Sequence, residues 1–140
     1  MNKYLLFKFK NELYALNINY IKEIIEYKEP SSTLKPEEHI LGIITVRERA
    51  ITLMNSLAVL NENLNKNYTS GKILILDNSV GFLVDDVDSV ISIKNDDIQP
   101  SPLSSIVAKK DRVDYVSGVY NHDGKLVIII NLEKTRIFNS

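Results

Sequence analysis

The residues of this chain that could carry chemistry are a set of acids, a few serines and two histidines. Asp85, Asp86 and Asp88, with Asp96 and Asp97 further on, suggest a cation site at first glance. A hard cation wants six or more oxygens from a shaped loop, usually with a sharp glycine turn and a bidentate glutamate. That pattern is absent, and strand alternation would send Asp85 and Asp86 to opposite faces. His39 and His122 have no Cys or His neighbour at ligand spacing, and both read as surface loop residues. Ser31, Ser32, Ser101, Ser104 and Ser105 sit in proline-containing connectors, without the strand-turn-helix setting of a nucleophilic serine. Gly42 and Gly71 are isolated and do not form a phosphate-cradling loop. The expectation is a protein with no catalytic centre, no metal and no cofactor.

Composition narrows the alternatives. Lys+Arg number 17 against 18 Asp+Glu in 140 residues, so there is no basic excess. Neutralising phosphates supplies most non-specific nucleic-acid affinity, and a near-neutral surface argues against that partner. There is no cysteine, which removes disulfide scaffolds and thiol chemistry and fits a reducing compartment. The opening Met1-Asn2-Lys3-Tyr4-Leu5-Leu6-Phe7-Lys8-Phe9 is interrupted by lysine too early for a signal peptide or a membrane span. A cytoplasmic protein, not inserted in a membrane and monomeric alone, is expected.

The elements that would position any site are written twice. A shift of 66 places Tyr14 to Ile25 over Val80 to Ile91 without a gap, setting Ala15 on Gly81 and Ile18, Ile21 and Ile24 on Val84, Val87 and Val90. A shift of 76 sets Ile40 to Ile44 on Val116 to Tyr120 and Ala50 to Asn55 on Leu126 to Asn131. Pro30 and Pro36 fall in one connector, Pro100 and Pro102 in its counterpart. Proline cannot donate to a sheet ladder, so both copies break there.

Within each copy the signals are strands. Leu5, Phe7 and Phe9 alternate with Leu6, Lys8 and Lys10, the pattern of a half-buried strand. Ile73 to Leu76 and Val127 to Ile130 are continuous apolar runs, as fully buried strands require. Lys10-Asn11-Glu12 and Asp77-Asn78-Ser79 read as hairpin turns, and Asp123-Gly124 suits a type I′ hairpin. Short helices are expected only over 56–64 and 132–138, with a turn near Pro36-Glu37-Glu38. The fold class is therefore all-β with short helices. It comprises two repeated barrel subdomains, about 1–65 and 66–140, and strand exchange between them is compatible with the repeat. Each copy alone is marginal in size, so the two are expected to pack side by side and leave a seam suited to a partner.

These blocks carry a family resemblance. His39 to Asn55 resembles the CheW signature, a Gly-Val-hydrophobic-Asn-Leu-Arg-Gly hairpin leading into a hydrophobic strand that ends Asp-Leu. Val80 to Val87 resembles the family's Gly-Leu-Leu-Val-Asp-x-Val block, Gly118 to Glu133 its closing hairpin, and Tyr14 to Ile24 its opening one. The resemblance covers Tyr4 to Ile137. It implies a CheW-like fold of two five-stranded SH3-like barrels. It also implies a scaffold that couples chemoreceptor cytoplasmic tips to the regulatory domain of the histidine kinase CheA, recruited to membrane-associated arrays. Its closest form is a stand-alone adaptor.

Site residues follow from the resemblance. Arg47 matches the family arginine near the receptor site, and Glu23 matches an acidic position that would meet a partner's cation. Ile21, Ile24, Val84 and Val87 are the apolar residues expected near the seam, where a receptor helix would dock. Gly42, Gly118, Asp123 and Gly124 are assigned to structural turns. Three departures stand out: Glu48 replaces the signature glycine, Asn55 the strand-ending acid, and Ser56 the following leucine. Glu at a position of positive φ costs roughly 1 kcal/mol relative to Gly. Two other readings remain at this point: a CheW-like adaptor for another chemosensory kinase pathway, and a small-barrel nucleic-acid binder using Tyr20, Tyr27, Tyr68, Tyr115 and Tyr120.

Overall fold

The computed structural model describes residues 2–9, 11–31, 40–55, 70–76, 79–100 and 116–131. The expected helices over 56–64 and 132–138, the turn near Pro36, and His39, Tyr68 and Tyr115 lie outside these residues, as does Ser56. Among the described residues there are ten strands. They are β1 Asn2–Phe9, β2 Glu12–Asn17, β3 Ile21–Glu26, β4 Ile40–Val46, β5 Arg49–Asn55, β6 Lys72–Leu76, β7 Val80–Val84, β8 Asp86–Ile93, β9 Val116–His122 and β10 Lys125–Ile130. Two single 3-10 turns, Ile18–Tyr20 and Asn95–Asp97, complete them.

The strands form two five-stranded sheets, in the orders β8-β1-β2-β10-β9 and β3-β6-β7-β5-β4. The repeat maps β1 to β5 onto β6 to β10 in order, and applying that map to the first sheet yields the second. The parallel pair at the heart of each sheet keeps the same register: Ile129 lies opposite Ala15 in one, and Leu53 opposite Gly81 in the other. These are the residues that the two sequence shifts equate.

Sheet membership does not follow the two copies. The chain divides into one unit of residues 1–18 with 87–140, and a second of residues 19–86. The boundary expected near residue 65 is thus displaced: copy one gives β1 and β2 to the first unit and β3 to β5 to the second, while copy two does the reverse. Proximity along the chain does not decide which ladder a strand joins; the backbone bonds it completes do.

Each sheet is rolled around its own core. In the first unit Tyr4, Leu6, Ala15, Ile93, Val127 and Ile129 form one buried cluster, with Tyr120 and Ile98 packed against it. In the second, Ile44, Ile51, Leu53, Ile73, Ile75 and Leu83 do so, with Ile25 and Tyr27 against them. Every strand of each sheet contributes. In a flat sheet the edge strands would stand about 19 Å apart at the usual strand spacing, so convergence on one cluster requires the sheet to curl into a small barrel.

The opposite face of the central strands is buried as well. Leu5, Phe7, Phe9 and Leu16 are as inaccessible in the first unit as Leu74, Leu76, Phe82 and Val84 are in the second. This corrects the half-buried reading of β1: Leu6 belongs to the barrel core, and Leu5, Phe7 and Phe9 are buried on the other side. A strand covered on both faces loses the period-2 signature. The apolar runs of β6 and β10 are buried throughout, as expected.

Gly42 and Gly118, expected at turns, stand inside β4 and β9. At each the connector before the strand crosses close by, making the paired bonds Ser31–Ile43 and Gln99–Val119. A β-carbon would lie 2.2 Å from the Ser31 carbonyl oxygen at Gly42 and 2.5 Å from that of Gln99 at Gly118. The glycines permit this approach. Asp123 and Gly124 do form the tip of the β9–β10 hairpin, both at positive φ, with the Gly124 N–H donating to Asn121 Oδ1.

Candidate functional site

The β4–β5 hairpin turns through Arg47 and Glu48 alone, because Val46 pairs with Arg49. Their φ values are 52° and 68°, the left-handed pair of a type I′ turn. Such a turn matches the right-handed twist of its strands but favours Asn and Gly. The equivalent hairpin of the other unit satisfies this with Asp123-Gly124; this one does not.

Arg47 is held in a fork by Glu23. Its Nε donates to Oε1 at 3.2 Å and its Nη2 to Oε2 at 3.1 Å. Arg47 is 79% exposed and Glu23 27%, so the pair is formed at the surface with the carboxylate seated deeper. The hydrogen bond from Arg47, supported by its charge and that of Lys22, holds the Glu23 carboxyl below its ordinary pKa, against a smaller opposing effect of burial. The same bond raises Arg47. Remaining guanidinium N–H groups are available to an acceptor on another molecule.

A bulge in β3 sets the neighbours. Ile21 pairs with Leu76 and Glu23 with Ile75, so Lys22 is the extra residue. Glu23 thereby shares the face of Ile25, which packs on the barrel core, and its carboxylate reaches the hairpin. Ile21 and Ile24 share the opposite face, that of Leu74 and Leu76. Without the bulge, residues three apart would point to opposite sides. Val84 pairs with Lys72 and lies on this second face too, but fully buried. Ile24 is 42% exposed, and Ile43 on β4 is similarly exposed. Val87, the second residue of β8, lies in the first unit and is half-buried.

The structure therefore joins Arg47 and Glu23 directly and places Ile21, Ile24 and Val84 on one face of the same unit. The pairing of Arg47 with Glu23 was not foreseen; a cation and an acid 24 residues apart give no local signal. Arg49, also missed, donates from Nη2 to Ser79 Oγ at 3.2 Å. Of the tyrosines considered for base stacking, Tyr27 and Tyr120 pack on the two cores. His122 closes β9, half-buried, its ring stacked on Tyr120. No group of three His, Cys, Asp or Glu among the described residues could hold a metal ion. What the site offers is an exposed ion pair on one side of β3 and partly exposed apolar side chains on the other, an arrangement that suits association with a protein surface.

Residues 3–136 match the family model of the CheW-like domain. The chain is 26% identical over 130 residues to a chemotaxis protein CheW of Thermotoga maritima, covering 91% of this chain and 83% of that protein. It is 23% identical over 132 residues to a CheW of Bacillus subtilis, covering 92% and 83%. The crystal structure of the scaffolding protein TtCheW from Thermoanaerobacter tengcongensis superposes with a TM-score of 0.77 at 26% identity, over 94% of this chain and 84% of that one.

Proposed function

The chain belongs to the CheW-like domain family of chemotaxis scaffolds, and from that premise we propose that it is a non-catalytic adaptor joining chemoreceptors to a CheA-type histidine kinase. In this reading the second unit presents the Arg47–Glu23 pair, with Ile21 and Ile24 on β3, to the cytoplasmic tip of a receptor. The kinase regulatory domain takes a separate surface. Val84, fully buried, supports this face of the second unit from within, and Val87, half-buried, is by itself a candidate contact of the first unit. The protein works in the cytoplasm, monomeric until recruited to receptor arrays. Among the described residues no helix is long and apolar enough to cross a membrane.

The observation that carries the reading is the exposed, forked Arg47–Glu23 pair on a barrel of this fold. Arginine is enriched among interface hot spots, and a fork held in place before binding loses less freedom on contact. Interfaces of about 1,000 to 1,600 Å² in total are expected for each partner. The test is a pair of binding measurements, one with a CheA regulatory domain and one with a receptor-tip fragment. Arg47→Ala should weaken receptor binding at least tenfold and kinase binding little. No binding to the kinase domain at high micromolar concentration would refute the adaptor role; unchanged receptor binding would refute the role of Arg47.

A further inference from the structure

Of the charged residues at the β4–β5 tip, two are tied to their own unit: Arg47 to Glu23, and Arg49 to Ser79. Glu48, between them, is exposed and makes no hydrogen bond or ion pair with the described residues. It also occupies a backbone position that disfavours it. Its φ is 68°, and its repeat equivalent is Gly124, at 84° with open space around it. One copy of the same hairpin thus keeps the residue that this geometry prefers, while the other carries a carboxylate that gains nothing within the fold. Non-glycine residues in this region cluster where function holds them.

Resting on the adaptor reading, we infer that Glu48 is a specificity residue which selects receptor tips carrying a lysine or arginine opposite the hairpin. Arg47 and Glu48 together form an adjacent cation and anion at the surface. A partner with an acid and a base in the complementary order satisfies both, whereas one with an acid opposite Glu48 is repelled. Arg47 supplies contact to the tip; Glu48 supplies discrimination.

The experiment measures binding of the full chain to a helical-hairpin peptide of a receptor tip, and to versions with each cation replaced by glutamate. Glu48→Gln keeps the strained backbone and removes the charge, and affinity should fall about 5- to 10-fold at low ionic strength, with the gap closing in high salt. Glu48→Lys should recover binding to one charge-reversed peptide and lose it to the parent. Glu48→Gly should bind as weakly as Glu48→Gln while melting at higher temperature, which separates recognition from stability. Unaltered binding by both Glu48→Gln and Glu48→Gly, with Arg47→Ala still defective, overturns the role of Glu48 and leaves the adaptor reading standing. Failure of the unaltered protein to bind any tip peptide overturns both. An equal loss of affinity for the kinase domain overturns the selectivity.

Discussion

Three glycines allow steric and backbone effects to be separated by one substitution each. At Gly42 a β-carbon would sit 2.2 Å from the Ser31 oxygen and 2.8 Å from Pro30 Cβ, and φ is +149°. At Gly118 the crowding is similar, 2.5 Å from the Gln99 oxygen and 2.6 Å from Ile98 Cγ2, but φ is not positive. At Gly124 φ is +84° and no atom lies within 4 Å. Gly124→Ala thus reports backbone strain alone, about 1 kcal/mol. Gly118→Ala must displace the connector, and with it the reciprocal bonds of Gln99 and Val119, each 2.9 Å. Two net hydrogen bonds at about 1 kcal/mol each, plus overpacking of about 1 kcal/mol, give about 3 kcal/mol. Gly42→Ala adds backbone strain to the same loss, about 4 kcal/mol, a large part of the stability of a domain this size. Urea denaturation followed by circular dichroism measures all three. The order Gly42 > Gly118 > Gly124 is expected. A Gly42→Ala or Gly118→Ala protein within 0.5 kcal/mol of the parent would show that the connectors do not press on β4 and β9, and would refute the reasoning.

Further outcomes follow from the ion pair, from the second core and from an exposed position of the repeat. The Glu23 carboxyl, followed by NMR, should titrate below its ordinary value of 4.5 and return towards it in Arg47→Ala. Because folding depresses this pKa, the pair's stabilisation is present above the ordinary value and is lost as pH falls through the lower one; an identical titration in both proteins would contradict the forked pair. Leu53→Ala, at a fully buried site in the second core, should cost about 2 to 5 kcal/mol. Leu126→Ala, at a 52% exposed site whose repeat equivalent is already Ala50, should change stability by less than about 0.5 kcal/mol; denaturant midpoints check both. Arg47→Lys keeps the charge but cannot form the fork, and titration calorimetry should show receptor-tip affinity reduced about 3- to 10-fold.

Much of the architecture was legible because duplication and strand formation leave local marks. Matched apolar residues, glycines and prolines exposed the repeat, the unbroken runs at Ile73 and Val127 marked buried strands, and Asp123-Gly124 specified a hairpin by backbone preference alone. β1 was misjudged, since Lys8 does face solvent but the run before it does not alternate: Tyr4, Leu5, Leu6 and Phe7 are all buried. The glycines of β4 and β9 were visible as a matched pair, but their reason was not: each answers to a carbonyl far along the chain.

The sequence by itself determined that there would be two sets of short strands with equivalent turns, because side-chain period, turn chemistry and proline placement act within a few residues. Only the tertiary structure decided which strands share a ladder, and so brought β3 and the β4–β5 hairpin into a unit with β6 and β7. That assembly, completed by one bulge at Lys22, puts the Glu23 carboxylate within reach of Arg47. The physical reason is that backbone pairing between distant segments is cooperative, and the meeting of two side chains is fixed by the whole sheet.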